Sequence, residues 1–352
     1  MRILVAGDWH SDLHESELSN SLLRLGHEVI KFKWHNYFEF NREKPYSILS
    51  IYKRLQNKYL VGPILSHINK EFIKVALSSK PQIIFIYRGT HILTKTLKFI
   101  KFRMPFTKIV GYCNDDPFSP QQSSLYWRHF KKSINKYDLM LVYRHINLED
   151  FKIAGSKNVA LLRSWYVPDR NFPVELKEDE KNKYECDIVF IGHYENDNRI
   201  EFLESIVEKG YKLRIYGPSK DWKLPLSRSK VLSMYGVPNM VWGQEYNKAL
   251  CGARIALCFF SKLNRDTYTR RCFEIPATGT LLLSEYSDDL ASLYQEGVEA
   301  DFFRSKSEML QKIKFYTNNS EIANKVAAAG YVKVKNSGHD IDSRIRKILE
   351  LI

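Results

Sequence analysis

Short apolar runs alternate with helix-spaced apolar residues along nearly the whole chain, and the alternation breaks once, between Ser164 and Lys183. Arg2 to Ala6 reads as a strand, Glu15 to Leu25 as a helix with Leu18, Leu22 and Leu25 on one face, and Glu28 to Trp34 as a second strand. Such an order closes its hydrogen bonds most simply as a parallel sheet with helices laid over it. The pattern continues through strands at Ile83 to Tyr87, Lys108 to Cys113, Leu139 to Tyr143 and Val159 to Leu162, until Pro168, Pro173 and the charged run Glu175 to Lys183 interrupt every period. It resumes at Cys186 to Ile191 and passes through Leu213 to Tyr216, Arg254 to Phe260, Thr280 to Leu283 and Ala300 to Phe303. The expected fold class is α/β with two doubly wound domains: residues 1–165, a linker at 166–184, residues 185–338, and a closing helix at 339–352.

A length of 352 residues with 44% hydrophobic composition can fill two cores. No apolar run reaches the roughly 20 residues that span a bilayer, and the first residues form a strand rather than a signal peptide, so a cytoplasmic location is expected. Cys113, Cys186, Cys251, Cys258 and Cys272 are scattered and lack CxxC spacing, which argues against a disulfide framework or a structural zinc. A net charge of +14 implies an anionic partner, for which nucleoside diphosphates, acidic membranes and nucleic acid all qualify. The segment 31–60 interleaves Trp34, Tyr37, Phe38, Phe40, Tyr46, Tyr52 and Tyr59 with lysines and arginines, Arg42 and Lys44 among them. It suits peripheral contact with the inner face of an anionic membrane or stacking on a glycan, and equally an amphipathic insertion packed on its own domain. None of the usual nucleic-acid modules accompanies it, so no nucleic acid partner is expected.

Asp266 to Gly279 carries the strongest chemical signal. Arg270 to Ala277 reads as a short helix between two parallel strands, stopped by Gly279. Two arginines in its opening turn oppose the helix dipole, and Arg270 placed four residues before Glu274 is the less favourable order for an intrahelical pair. A diphosphate resolves the conflict by meeting both guanidinium forks, while Glu274 accepts hydrogen bonds from vicinal ribose hydroxyls. The alternative is a surface helix whose Arg and Glu only pair with each other.

The run RRCFEIPATGTLLLSEYSDDLASLYQEGVEADFF, with Asp266 before it, resembles the signature of CgeB-like (spore-maturation-type) glycosyltransferases, a branch of the group 1 glycosyltransferases. The resemblance implies the GT-B architecture: two Rossmann-like doubly wound domains facing an interdomain cleft, the first binding the acceptor, the second a nucleotide sugar, and a last helix packed back on the first. In the wider group an acidic residue, seven intervening residues and a glutamate bind the donor. That motif implies a ribose contact for Glu274 and a contact with the donor sugar for Asp266, an Asp where the group usually has Glu. The strand running into Gly192-His193-Tyr194 and then Arg199 resembles the opening of the donor domain, which implies that His193 and Arg199 approach the diphosphate. Tyr216-Gly217 followed by Trp222 fits the family's YG…W arrangement, and the resemblance places the nucleobase near Trp242.

In the first half, His10 of the Gly7 to Asp12 loop and Asp115 and Asp116 of the Asn114 to Pro117 stretch stand where strands end, as candidate catalytic groups that orient or deprotonate an acceptor hydroxyl. A turn explains the Asp residues equally well. Asp8-x-His10 is also how calcineurin-like metallophosphoesterases begin, but no Gly-Asn-His triplet follows. The expected activity is sugar transfer from a nucleoside diphosphate sugar to a glycan or lipid-linked acceptor, in surface polysaccharide or glycoconjugate synthesis. The resemblance to the group implies retention at the anomeric carbon, with inversion as the alternative, for which Asp115 or His10 would serve as base; no metal and no cofactor are expected. The alternative is a non-catalytic nucleotide-sugar or glycan-binding protein.

Overall fold

A computed structural model of the chain describes residues 1–39 and 46–352, so Phe40, Arg42 and Lys44 of the aromatic-basic segment lie outside the described residues. The chain divides into two compact units, residues 1–163 with 341–352, and residues 164–340.

In the first unit, β1 (Arg2–Gly7), β2 (Glu28–Lys33), β3 (Ile83–Tyr87), β4 (Lys108–Cys113), β5 (Leu139–Val142) and β6 (Val159–Leu161) form one sheet in the order β2-β1-β3-β4-β5-β6. Every pairing is parallel, with Leu4 opposite both Ile30 and Ile84. β3 is buried along its whole length, which is why it reads as an unbroken apolar run rather than an alternating one. One face of the sheet packs under Ile68 and Phe72, Leu97 and Ile100, and Trp127 and Phe130, which come from helices Pro63–Ser79, Thr94–Arg103 and Ser124–Ser133. The last helix, Ile341–Leu349, belongs to this unit and packs on helix Glu15–Arg24, where Arg24 donates to both carboxylate oxygens of Asp342 at 2.7 and 3.0 Å.

Part of the aromatic-basic segment is core. Phe32, Trp34 and Phe38 are buried, and Trp34 stacks on His91 with ring centroids 5.3 Å apart. His91 is neutral: its Nδ1 accepts from the Thr90 hydroxyl and its Nε2 donates to Asn57 Oδ1, both at 3.0 Å. Burial, followed by the charges of His129, Arg88 and His35, lowers its pKa from 6.5 to about 3. Between those values the unfolded chain binds a proton that the native state does not. The contribution is therefore complete above about pH 6.5 and is lost as pH falls toward 3, by up to about 1.4 kcal/mol per pH unit. Melting followed against pH should show this acid slope, and His91→Gln should flatten it.

In the second unit, β7 (Cys186–Ile191), β8 (Leu213–Tyr216), β9 (Ala253–Cys258), β10 (Leu281–Glu285) and β11 (Asp301–Phe303) form a parallel sheet in the order β11-β10-β9-β7-β8. The charged run expected to be open linker is a helix, Glu178–Tyr184, with its acidic residues in the first turn and Lys181 and Lys183 in the last, as the dipole favours. It is pinned to helix Gln244–Cys251, where Glu245 accepts from Lys183 Nζ at 2.7 Å and from the Tyr184 hydroxyl at 3.0 Å. Residues 166–184 thus form part of the second unit.

Both sheets reverse direction once. Strand order turns back between β1 and β3 in the first and between β7 and β9 in the second. In parallel α/β sheets the loops leaving the carboxyl ends of such strand pairs diverge and leave a crevice for ligands. The topology therefore points to the loops after β1 and β3, and to those after β7 and β9. Among the described residues no helix is long and apolar enough to cross a membrane.

Candidate functional site

In the second unit the loop after β7 starts at Gly192, and the loop after β9 leads into helix Arg271–Ala277. The two meet: a β-carbon at Gly192 would stand 3.5 Å from the Arg271 guanidinium carbon and from Nη1. Gly192 is held in place by the indole of Trp222, whose Nε1 donates to its carbonyl at 2.9 Å, and by its own N–H, which donates to Tyr216 O at 2.9 Å. Gly217 makes this packing possible, because a β-carbon there would lie 2.2 Å from Gly192 O and 2.4 Å from Trp222 Nε1. Gly217→Ala should cost about 1–3 kcal/mol by overpacking. Thermal melting checks this, and an unshifted melting temperature would contradict the packing described.

Arg271 is the first residue of its helix, and its Nε is buried with no partner among the described residues. Burial acts against its charge, but Cys258, Tyr246 and Glu274 act the other way and prevail, so the guanidinium stays protonated. One turn on, Glu274 is buried, with both oxygens engaged. Oε1 accepts from Arg270 Nε at 2.5 Å and Oε2 from the Tyr246 hydroxyl at 2.8 Å. Arg270 and Glu274 therefore do pair along the helix, as the bland reading of the sequence allowed, while Arg271 does not join them. An unpartnered buried donor on a permanent cation beside a glycine that keeps the space clear is a socket for anionic oxygen.

The remaining donor candidates fall into two groups. Tyr216 and Gly217 lie against the Gly192 loop as described. Asp266 is half-buried in the loop between β9 and the Arg271 helix, its N–H donating to Ser261 O at 2.9 Å. Trp242 is exposed two residues before helix Gln244–Cys251, the helix that supplies Tyr246. Arg199 and His193 are occupied otherwise. Arg199 is buried and donates from Nε and Nη2 to both oxygens of Asp197, at 2.7 and 2.6 Å, and from Nη1 to His193 O at 2.5 Å. In this structure it braces the loop after β7 through Asp197 and the His193 carbonyl. His193 sits outside, its Nδ1 2.7 Å from Asp221 Oδ2.

In the first unit Asp115 meets Arg88, 3.2 Å from Nη1, at the ends of β4 and β3. Arg88 holds a left-handed backbone, φ 61°, a conformation unusual for a non-glycine residue and concentrated where function fixes it. Asp116 is fully buried, accepting from Asn147 Nδ2 at 2.9 Å and from Phe118 N at 3.1 Å, and so caps a turn. His10 is exposed, its ring 4.9 Å from that of His35. Glu15 went unnoticed in the sequence. It is buried beneath Gly7, its Oε1 accepts from Asp8 N at 2.9 Å, and burial raises its pKa. Tyr246 was missed too, since only the tertiary fold brings it across 28 residues to Glu274.

Residues 199–350 match a family model described as Glycosyl transferase-like. No curated protein sequence matches the chain. Among solved structures, HepE (Alr3699) of Anabaena in complex with UDP superposes with a TM-score of 0.68 at 11% identity, covering 100% of this chain and 99% of that one. Sucrose-phosphate synthase of Thermosynechococcus elongatus gives 0.68 at 11% identity over 100% and 98%. A glycosyltransferase of Rickettsia africae ESF-5 gives 0.66 at 13% identity over 99% and 97%. The chain has the two-domain GT-B fold, built from two Rossmann-like parallel sheets. That fold and the glycosyl transferase-like match of residues 199–350 support its assignment as a glycosyltransferase.

Proposed function

We propose that this protein transfers a sugar from a UDP-sugar to an acceptor hydroxyl, with the donor held by the second unit. The observation that carries the reading is the half-buried Arg271 guanidinium, permanently charged, its Nε enclosed with no partner among the described residues, next to Gly192 and one turn ahead of Glu274. Arg271 binds the diphosphate and stabilises it as the leaving group, a task that needs fixed positive charge where negative charge develops. In this reading Arg271 supplies that charge in place of a divalent ion. Arg270 and the Tyr246 hydroxyl hold Glu274 in position to accept from the ribose hydroxyls, and Asp266 contacts the sugar. UDP is chosen as the nucleotide because HepE was solved with UDP and with UDP-glucose.

The sequence resemblance to the group 1 glycosyltransferases supports retention at the anomeric carbon. The burial of Asp116 and the pairing of Asp115 with Arg88 support it as well, since neither carboxylate is presented as an unengaged base. The acceptor is a glycan or lipid-linked glycan, and the setting is cytoplasmic synthesis of surface polysaccharide or glycoconjugate. A thermal-shift series with UDP, GDP, ADP and their sugars tests the reading: at about 100 times its dissociation constant, a ligand of the native state adds about 2.7 kcal/mol. UDP and a UDP-sugar are expected to raise the melting temperature, with UDP released from the sugar once an acceptor is supplied. A flat response to every nucleoside diphosphate would contradict donor binding, and tight binding without release under any acceptor would favour a non-catalytic binding protein.

A further inference from the structure

Helix Ile48–Tyr59 is amphipathic the wrong way round for a helix of a water-soluble surface. Its inward side is polar: Ser50 and Gln56 are buried, Gln56 Oε1 accepts from Ile64 N at 2.9 Å, and Asn57 meets His91. Its outward side carries Ile48, Ile51, Tyr52, Leu55 and Tyr59, spaced by three and four residues so that they make one stripe, and Ile48 is 88% exposed. An exposed apolar stripe of this kind needs a partner, since isolated apolar residues are common on surfaces but aligned ones are not.

The charge around it says which partner. Helix Ile48–Tyr59 packs against helix Ser124–Ser133, which packs against helix Thr94–Arg103. The three carry three, three and four Lys or Arg residues, and not one Asp or Glu. Of these cations Lys101 is engaged by the Asp138 carboxylate, while Lys53 donates to Glu39 O and Arg128 to the carbonyls of Leu125, Tyr59 and Leu60, contacts that leave their charge unneutralised. Phe102 and Phe106, 82% and 94% exposed, add two rings at the end of helix Thr94–Arg103. A second copy meeting this face symmetrically would set like charge against like, which costs affinity. A phosphate backbone would satisfy the cations but leave the aliphatic stripe in water. Anionic lipid satisfies both: headgroups take the lysines and arginines, and acyl chains take Ile48 and Leu55 with no demand for a matching shape.

We propose that this surface of the first unit docks the protein on an anionic membrane, through the stripe on helix Ile48–Tyr59 and the basic helices beside it. The inference is independent of the sugar-transfer reading and stands whether or not that reading holds. The sequence pointed to the segment 31–60, whereas the structure removes Trp34 and Phe38 from the surface and brings in two helices from beyond it.

Co-sedimentation of the full chain with phosphatidylcholine vesicles, with and without phosphatidylglycerol, tests it. Binding is expected only with phosphatidylglycerol and should weaken as salt is raised. The double substitution Ile48→Glu/Leu55→Glu, at exposed positions, should leave the melting temperature unchanged and weaken vesicle binding at least about tenfold. Lys58→Glu/Lys98→Glu should do the same through charge alone. Wild-type protein that stays in the supernatant at low salt would overturn the proposal, as would undiminished binding by both variants. A dimer that Ile48→Glu/Leu55→Glu dissolves would overturn it too, by assigning the face to a second copy.

Discussion

Replacing Arg271 with methionine is expected to lower turnover about a hundred- to a thousandfold while the melting temperature holds or rises. The loss in rate follows from removing a preorganised donor from the site of developing charge, which costs about 2.7–4 kcal/mol in comparable cases. Stability behaves differently because of the local wiring. Glu274 keeps Arg270 and Tyr246 as partners after the change, so no buried carboxylate is orphaned. Methionine also removes the buried Nε that has no acceptor, an unsatisfied group of a kind worth about 1–3 kcal/mol. Exchange of a buried charge for an apolar side chain of similar length is often neutral or stabilising. Turnover and melting of the same variant check both halves, and a variant that loses activity only because it unfolds would contradict the account.

Glu274 should separate in the opposite sense. Glu274→Ala takes the acceptor from the Tyr246 hydroxyl and the carboxylate from Arg270 Nε, and should destabilise the second unit by about 3 kcal/mol. Its donor affinity should fall as well. Glu274→Gln keeps an acceptor for Tyr246 but sets its amide nitrogen against Arg270 Nε, so it should lose stability, though less than Glu274→Ala. It loses the charge that strengthens ribose hydrogen bonds, so donor affinity should still drop about tenfold, the worth of a charge-assisted over a neutral bond. Calorimetric titration with UDP distinguishes the two substitutions. Full affinity in the Gln variant would remove Glu274 from the ribose contact and leave it a structural role.

The fold was legible because its signal is repeated. Eleven apolar runs predicted as strands correspond to the eleven strands of the described residues, since a strand buried on both faces, such as Ile83–Tyr87, leaves a mark that no loop imitates. Helices Ile48–Tyr59 and Thr94–Arg103 were not legible for a related reason. The first does carry an apolar stripe, but interleaved with Lys53, Arg54 and Lys58 inside the aromatic-basic run, and the second exposes Phe99 and Phe102 alongside buried Leu97 and Ile100. The charged run at 178–184 was read as linker because its stability comes from Glu245 and Lys248, some 60 residues away. In the site, the Arg270, Arg271 and Glu274 cluster was visible from spacing. Which arginine pairs and which stays unpartnered was not, because that depends on Tyr246 and Gly192 arriving from other elements. Arg199 shows the converse: a basic residue in the right place along the chain, already engaged by Asp197 two positions before it.

The most direct test is a comparison of UDP with uridine, titrated calorimetrically into the wild-type protein and into Arg271→Met. If Arg271 seats the diphosphate, UDP binds the wild type at least about 30-fold more tightly than uridine, a difference of about 2 kcal/mol, and the advantage collapses in the variant. If UDP keeps the same advantage over uridine in both proteins, the diphosphate is held elsewhere and the proposed site is wrong.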